Sequence, residues 1–269
     1  MISETFLLGG DLPVRRLGFG TAQLTGPGYW GPRGERADAV AVLRRAVERG
    51  VNLIDTADNY GPGIAEELVA EALHPYPADL VIATKGGVVR TGADAWHVAG
   101  RPEQLRAMCE ASLRRLRTDR IDLYQLHRLD PGVPMAEQLG ALDELRREGK
   151  IRHVGLDTVD ADQLTRALAL TDVASVQNRF NLVDRASEPV LELCEARGLA
   201  FLPWFPLANG ALDDPRRALA WLLHRSPVLC PTPGTGSLAH LAENLSAAGL
   251  RLSAEEVEAL DAADGVTRG

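Results

Sequence analysis

The chain has 269 residues, long enough for two ordinary domains and equally the usual size of one α/β barrel, for which about 250 residues is typical. Hydrophobic residues make up 45% and charged residues 25%, the composition of a globular protein with a large core; a formal charge of −8 argues against a nucleic-acid surface, which needs clustered Lys and Arg. Cys109, Cys194 and Cys230 lie far apart, without CxxC or metal-ligand spacing, so neither a disulfide framework nor a metal site is expected.

Short apolar runs and longer amphipathic stretches alternate along almost the whole chain. Thr5 to Leu8, a turn at Gly9-Gly10-Asp11, and Leu12 to Arg15 predict a hairpin, followed by a first buried strand at Leu17-Gly-Phe-Gly20. Arg36 to Arg49 carries Val40, Leu43 and Val47 at helical spacing and is closed by Gly50. The unit then repeats: Asn52 to Asp55 with a helix near Ala65 to Leu73, Leu80 to Thr84 with a long loop and Pro102 to Leu116, and Ile121 to Leu126 with Met135 to Glu148. His153 to Leu156 leads to Ala161 to Leu170, and Ala174 to Gln177 leads to Glu188 to Arg197. Leu199 to Leu202 leads to Pro215 to His224, where Asp214 reads as an N-cap and Pro215 as the first helical residue. Val228 to Cys230 leads to Leu238 to Ala247, and a last helix covers Ala254 to Ala263. Eight such units predict a parallel sheet closed into a (β/α)₈ TIM barrel with an N-terminal β-hairpin, one domain spanning 1–269. No segment approaches the roughly 20 apolar residues of a membrane span. Met1-Ile-Ser-Glu lacks a basic region followed by an apolar run, so the cytoplasm is the expected location.

Each predicted strand ends in a chemically distinctive residue: Asp55, Lys85, His127, Asp157, Gln177, Trp204 and, after the eighth, the Gly234 loop. In a barrel these ends share the face where active sites are built. Singly, each has a plain structural explanation, since Asp55 can cap a turn, Lys85 can be a solvated loop residue, His127 a hydrogen-bonded core residue and Tyr60 rim packing. Together they form a chemical unit. Tyr has an ordinary pKa of about 10, which a neighbouring ammonium lowers, while a carboxylate holds that ammonium and an imidazole orients a carbonyl oxygen. Such a group stabilises an alkoxide and protonates it. A hydride source is then required, and Pro233-Gly-Thr-Gly-Ser237, between a strand and a helix, suits a phosphate.

The chain resembles the aldo-keto reductases from end to end. The motifs are Gly50-Val-Asn-Leu-Ile-Asp-Thr-Ala-Asp-Asn-Tyr-Gly61, Ala83-Thr-Lys-Gly86, Asp119-Arg-Ile-Asp-Leu-Tyr-Gln-Leu-His127, Gly149-Lys-Ile-Arg-His-Val-Gly155, Val176-Gln-Asn178, Pro231-Thr-Pro-Gly-Thr-Gly and Glu243-Asn244. Gly26-Pro-Gly-Tyr-Trp-Gly-Pro32 and Tyr60-Gly-Pro-Gly further resemble a bacterial subgroup with pyridoxal-reductase-like members. The resemblance implies a catalytic tetrad of Asp55, Tyr60, Lys85 and His127, NADP(H) as hydride donor with NAD(H) admitted, and no metal. It implies that Gly20 and Thr21 line the cofactor and that Asp157 and Gln177 meet the carboxamide. Trp204 would stack on the nicotinamide, with Pro206 and Leu207 beside it. Gly234, Thr235, Gly236, Ser237, His240, Glu243 and Asn244 would take the adenosine phosphates. Tyr29, Trp30, Trp96 and His97, in loops on the same side, predict an aromatic substrate pocket.

Three departures bear on cofactor grip. Asp157-Thr158 stands where the family usually has Ser-Asn, the connection Pro206 to Asp214 is short, and the Gly234 loop lacks the Lys or Arg often used for the 2′-phosphate, leaving His240. Weaker NADP⁺ binding than in long-loop relatives, with modest preference over NAD⁺, is the resulting expectation. The expected partner is a small carbonyl substrate, with no nucleic acid and no membrane, and the sequence assigns no oligomeric state. The residues also admit a nucleotide-binding regulatory barrel, or a non-redox enzyme acting on a specialised metabolite with Tyr60 as acid or base.

Overall fold

The alternation of strand and helix is present in the computed structural model, which describes residues 5–262 with the exception of Ala211 and Asp213. A hairpin of β1 (Thr5–Leu8) and β2 (Leu12–Arg15) comes first, with the expected bounds, and pairs Leu8 with Leu12 across the turn. Then follow β3 (Phe19–Gly20), β4 (Leu53–Asp55) and β5 (Val81–Gly86), a second antiparallel hairpin of β6 (Val88–Gly92) and β7 (Ala95–Val98), and β8 (Ile121–Leu126), β9 (Ile151–Asp157), β10 (Val173–Arg179) and β11 (Ala200–Trp204). The second hairpin occupies what reads in the sequence as a long loop. The helices are α1 (Arg36–Glu48), α2 (Ile64–Leu73), α3 (Pro102–Leu116), α4 (Met135–Arg147), α5 (Ala161–Leu168), α6 (Glu188–Arg197), α7 (Pro215–Arg225), α8 (Leu238–Ser246) and α9 (Ala254–Ala262). The expected end of the last helix, Ala263, lies outside the described residues. Asp214 caps α7 as expected, accepting from the Arg217 amide at 3.0 Å.

The large sheet runs β3-β4-β5-β8-β9-β10-β11 with every neighbouring pair parallel. The eighth segment closes it with few ladder bonds. Phe201 bonds to Val228 and Cys230 on one side, at 2.9 and 2.8 Å, and the Gly18 amide donates to Pro231 O at 3.0 Å on the other. Two prolines, Pro231 and Pro233, lack the donors that a longer ladder would need, so the expected strand is reduced to a bridge.

Period-two alternation divides the core into two layers. Leu53, Val81, Ala83, Leu123, Ala200 and Leu202 fill the barrel interior, together with Leu8, Leu12 and Val14 of the first hairpin, which forms its floor. Ile54, Ile82, Tyr124 and Phe201 face outward into the layer under the helices. Continuing the same parity upward puts Asp55 above Leu53, Lys85 above Ala83 and Trp204 above Leu202, all at the C-terminal mouth. The three cysteines are buried, and burial pushes their thiols up to about 12, so they behave as small apolar residues. No helix among the described residues is long and apolar enough to cross a membrane.

Arg16 ties the closure together. Its buried guanidinium donates to Leu229 O at 3.0 Å, to Leu223 O at 2.9 Å and to Ser226 O, joining the start of β3 to the end of α7 and the closing segment. Arg16→Met would keep most of the volume and strip those carbonyls of their donor. A loss of about 2–5 kcal/mol is expected, read as a lowered urea midpoint with unchanged slope; an unchanged midpoint would mean that closure does not depend on this side chain.

Candidate active site

Lys85 is wholly buried at the end of β5. Its ammonium donates to both oxygens of Asp55, at 2.8 and 2.9 Å, and to Thr56 O at 2.8 Å, which uses all three of its donors. Asp55 also accepts from Gln125 Nε2 at 3.2 Å and Gln177 Nε2 at 3.1 Å, and Gln125 donates to Gln177 Oε1 at 3.0 Å. Burial by itself would lower Lys85, but the carboxylate of Asp55, with Tyr60 and Asp157, more than offsets it and holds the ammonium above its ordinary value.

The Tyr60 ring lies over this pair, its centroid 5.2 Å from Lys85 Nζ. With every ammonium proton engaged elsewhere, Lys85 acts on the phenol through its charge and not through a hydrogen bond. The expected lowering of the Tyr60 pKa is overturned. Burial dominates, Lys85 opposes it only in part, and the phenol is pushed up to about 12. Tyr60 is therefore protonated at neutral pH.

His127 stands edge-on to Tyr60, with centroids 6.2 Å apart. Burial, then the charges of Lys85 and Arg128, push it well below its ordinary range, so the imidazole is neutral. Its tautomer follows from Asn59. That amide lies 3.4 Å from Val88 O, which can only accept, so its NH₂ faces that way and reaches His127 Nδ1 at 3.0 Å. Nδ1 is thus the acceptor, and the ring proton sits on Nε2.

Asp157 ends β9, its Oδ2 3.9 Å from His127 Nε2. It accepts from Thr158 Oγ1 at 2.7 Å and from Arg128, whose Nη1 also donates to His127 O. Burial raises Asp157 to about 6 against the pull of Arg128 and Lys85.

These residues open onto a cavity of about 790 Å³ across the mouth, within the usual range for small-molecule sites. Asp55, Tyr60, His127, Asp157, Gln177 and Trp204 line one part of it. Gly20, Pro206, Leu207, Gly234, Thr235 and Gly236 line its length, and His240, Glu243 and Asn244 its far end. Lys85 and Thr21 sit behind the wall, while Ser237 caps α8, its hydroxyl accepting from the His240 amide at 3.4 Å. The short connection after β11 still contributes Pro206, Leu207 and Gly210 to the wall. Its Ala211 and Asp213 lie outside the described residues.

The aromatic set divides. Tyr29 and Trp96 line the cavity, 5.9 Å from Tyr60 and 6.4 Å from His127 between ring centroids. Trp30 does not; it lies against Arg90, 5.4 Å from its ring. Nor does His97. One residue beyond Trp96 on the same strand, it faces the other way and meets Thr91 Oγ1 at 3.0 Å. Arg90 holds this wall in place, with its guanidinium 3.8 Å from the Trp96 ring centroid and donating to Tyr29 O and Gly28 O at 2.8 Å.

The cavity suits an extended ligand with phosphates. A Cβ on Gly234 would come 2.5 Å from Gly20 O, and one on Gly20 2.6 Å from Thr232 O, so bare backbone faces the cavity there. Trp204 Nε1 and Thr21 Oγ1 are buried polar atoms with no protein partner. Gln125, Asn59, Arg128 and Arg90 are site residues that the sequence argument missed. Of these only Gln125 carried a signal, a polar residue at the inward parity of an apolar strand.

A model of the Aldo/keto reductase family matches residues 16–217. An uncharacterised oxidoreductase of Schizosaccharomyces pombe is 47% identical over 268 residues, covering 94% of this chain and 87% of the relative. Pyridoxine 4-dehydrogenase of Escherichia coli is 40% identical over 283 residues, covering 97% and 98%. Among solved structures, an aldo-keto reductase from Klebsiella pneumoniae in complex with NADPH matches with a TM-score of 0.82 at 30% identity, covering 97% of this chain and 95% of that one. Because these matches run through the strands that carry the ion pair as well as the helices around them, the chain belongs to the aldo/keto reductase family and is an NAD(P)H-dependent oxidoreductase.

Proposed function

We propose that the protein reduces an aldehyde or ketone to an alcohol, with Tyr60 donating the proton. The observation that carries this reading is a half-buried phenol kept protonated beside a neutral imidazole, both opening on the same cavity. NADP(H), when bound, supplies the hydride. Gly20, Thr21, Gln177, Asp157 and Trp204 would hold its nicotinamide half, with Pro206 and Leu207 beside it. Gly234 to Ser237, His240, Glu243 and Asn244 would hold the adenosine phosphates.

His127 Nε2–H and the Tyr60 hydroxyl both donate, so a carbonyl oxygen between them is polarised by two hydrogen bonds. As negative charge gathers on that oxygen, Tyr60 transfers its proton. The phenolate left behind is stabilised by the Lys85 charge, which Asp55 anchors. Gln125 and Gln177 keep the carboxylate oriented toward the ammonium. Tyr29 and Trp96 flank the reacting groups and favour a flat aromatic carbonyl compound, a class consistent with the activity named for the Escherichia coli relative, on pyridoxine.

Tyr60→Phe should lower reduction of pyridoxal or nitrobenzaldehyde by roughly 10²–10⁴-fold, with NADP⁺ titration and thermal unfolding unchanged. Retained turnover in that variant would remove Tyr60 from the mechanism, and a wild-type protein that binds NADPH yet oxidises none of it across an aldehyde panel would favour a regulatory barrel.

Lys85→Met should cost about 3–5 kcal/mol, because Asp55 is left buried and unpaired. Asp55→Asn combined with Lys85→Met should recover most of that in chemical denaturation while activity stays low. Equal stability of wild type and Lys85→Met would show that the pair is not desolvated.

Asp157 gives a pH dependence. Its raised pKa means a carboxylate above about pH 6 and a neutral acid below it. The oxidised nicotinamide carries a positive charge that the carboxylate favours, so NADP⁺ affinity should fall as pH drops through about 6. NADPH affinity should change less, since Lys85 stays charged and His127 stays neutral over that range. Asp157→Asn should abolish the step; a step that survives this substitution belongs to another group.

A further inference from the structure

We propose that Arg33, on the loop between β3 and α1, selects NADP(H) over NAD(H) by binding the 2′-phosphate. The inference depends on cofactor binding alone and not on which carbonyl compound is reduced.

Hydride transfer requires the nicotinamide at the Tyr60 and His127 end of the cavity. The adenosine half must then lie at the other end, toward Gly236 and the first turn of α8. Arg33 lines the cavity at that end. A Cβ built on Gly236 would lie 3.8 Å from Arg33 Nε and 3.9 Å from Cζ, so the guanidinium rests against the glycine loop with no side chain between them.

The charge of Arg33 is uncommitted. Its Nη1 donates to Gln23 O at 3.0 Å and to Gln23 Oε1 at 3.2 Å, both neutral acceptors. No carboxylate pairs with it among the described residues. Gln23 thereby fixes one edge of the guanidinium and leaves the rest of the planar fork for a phosphate, which it matches in a bidentate manner. The first-turn amides of α8 lack intrahelical partners and point the positive end of the helix the same way.

A further charge makes the selection directional. Glu243 lines the same end of the cavity, and its carboxylate disfavours a phosphate while accepting readily from a ribose hydroxyl. Without Arg33 the pocket would therefore suit NAD(H); with it, the Glu243 charge is offset and a phosphate gains a cationic partner. The cation that the Gly234 loop lacks is supplied from another loop, so a strong preference replaces the modest one expected from that loop alone.

The test is calorimetric titration of the whole protein with NADP⁺ and with NAD⁺, without carbonyl substrate, for wild type, Arg33→Ala and Arg33→Lys. Arg33→Ala should weaken NADP⁺ by about 10- to 100-fold, the loss expected on deleting charge-assisted hydrogen bonds to a phosphate, and leave NAD⁺ unchanged. Arg33→Lys keeps the charge without the fork and should fall between. Arg33 is exposed, so the unfolding midpoint should not move. Equal weakening of both cofactors would place Arg33 on the pyrophosphate and overturn the proposal, as would an unchanged NADP⁺ affinity. Wild-type protein that bound neither cofactor would overturn the cofactor site itself, and this proposal with it.

Discussion

Lys85 and Asp55 are both out of water, and two charges so placed cost several kcal/mol each to desolvate unless every proton and lone pair is matched. Here the matching is complete on the ammonium and extensive on the carboxylate. Three strands supply it: Thr56 just past the end of β4, Gln125 from β8 and Gln177 from β10. The mouth of the barrel is therefore braced from within by one polar network, and Asp55, Lys85 and His127 rest on or directly beside strand ends. The same matching has a chemical consequence. An ammonium with no donor to spare acts on the neighbouring phenol through its charge alone, and burial leaves Tyr60 protonated beside it.

The first hairpin explains how the interior tolerates this. Leu8, Leu12 and Val14 close the floor, and small residues such as Ala83 and Ala200 alternate with larger ones in the inner layer. Arg16 seals the seam where prolines prevent a full eighth strand. Stability is thus placed at the floor and the seam. That leaves the mouth able to carry strain. Tyr29, Thr158, Phe205 and Ala208, all on loops at the mouth, have positive φ without being glycine, the pattern of backbone strain held at a functional end.

Much of this was legible because period-two parity links core to site. Once Leu53, Ala83 and Leu202 are inward, Asp55, Lys85 and Trp204 must be inward too, so their meeting at the mouth follows from strand ends, whereas Tyr60 lies in the loop beyond β4. What escaped reading depended on contacts between distant loops. The hairpin Val88–Val98 carries only a short alternating pattern around Gly92, and Arg90 ties it to the 28–29 backbone. Asn59 gains meaning only when Val88 O fixes its amide and, through it, the His127 tautomer. The direction of the Tyr60 shift was misread because charge proximity was visible in the sequence and depth of burial was not.

The exchange of Ser-Asn for Asp157-Thr158 shows how such a mouth accommodates change. A carboxylate introduced beside His127 is a buried charge, and it is tolerated because Arg128, the residue after His127, reaches across to it. Thr158 takes up the left-handed conformation that Asn adopts easily and a β-branched residue adopts at a cost. Its hydroxyl offsets part of that cost by donating to Asp157. The substitution therefore comes as a coupled set of three residues. It places a charged group where the resemblance leads one to expect a neutral one, while the Lys85–Asp55 pair keeps its hydrogen bonds. Variation of this kind is not insulated from its neighbours, because Asp157 Oδ2 lies 3.9 Å from His127 Nε2 and its charge also acts on Lys85 and Tyr60.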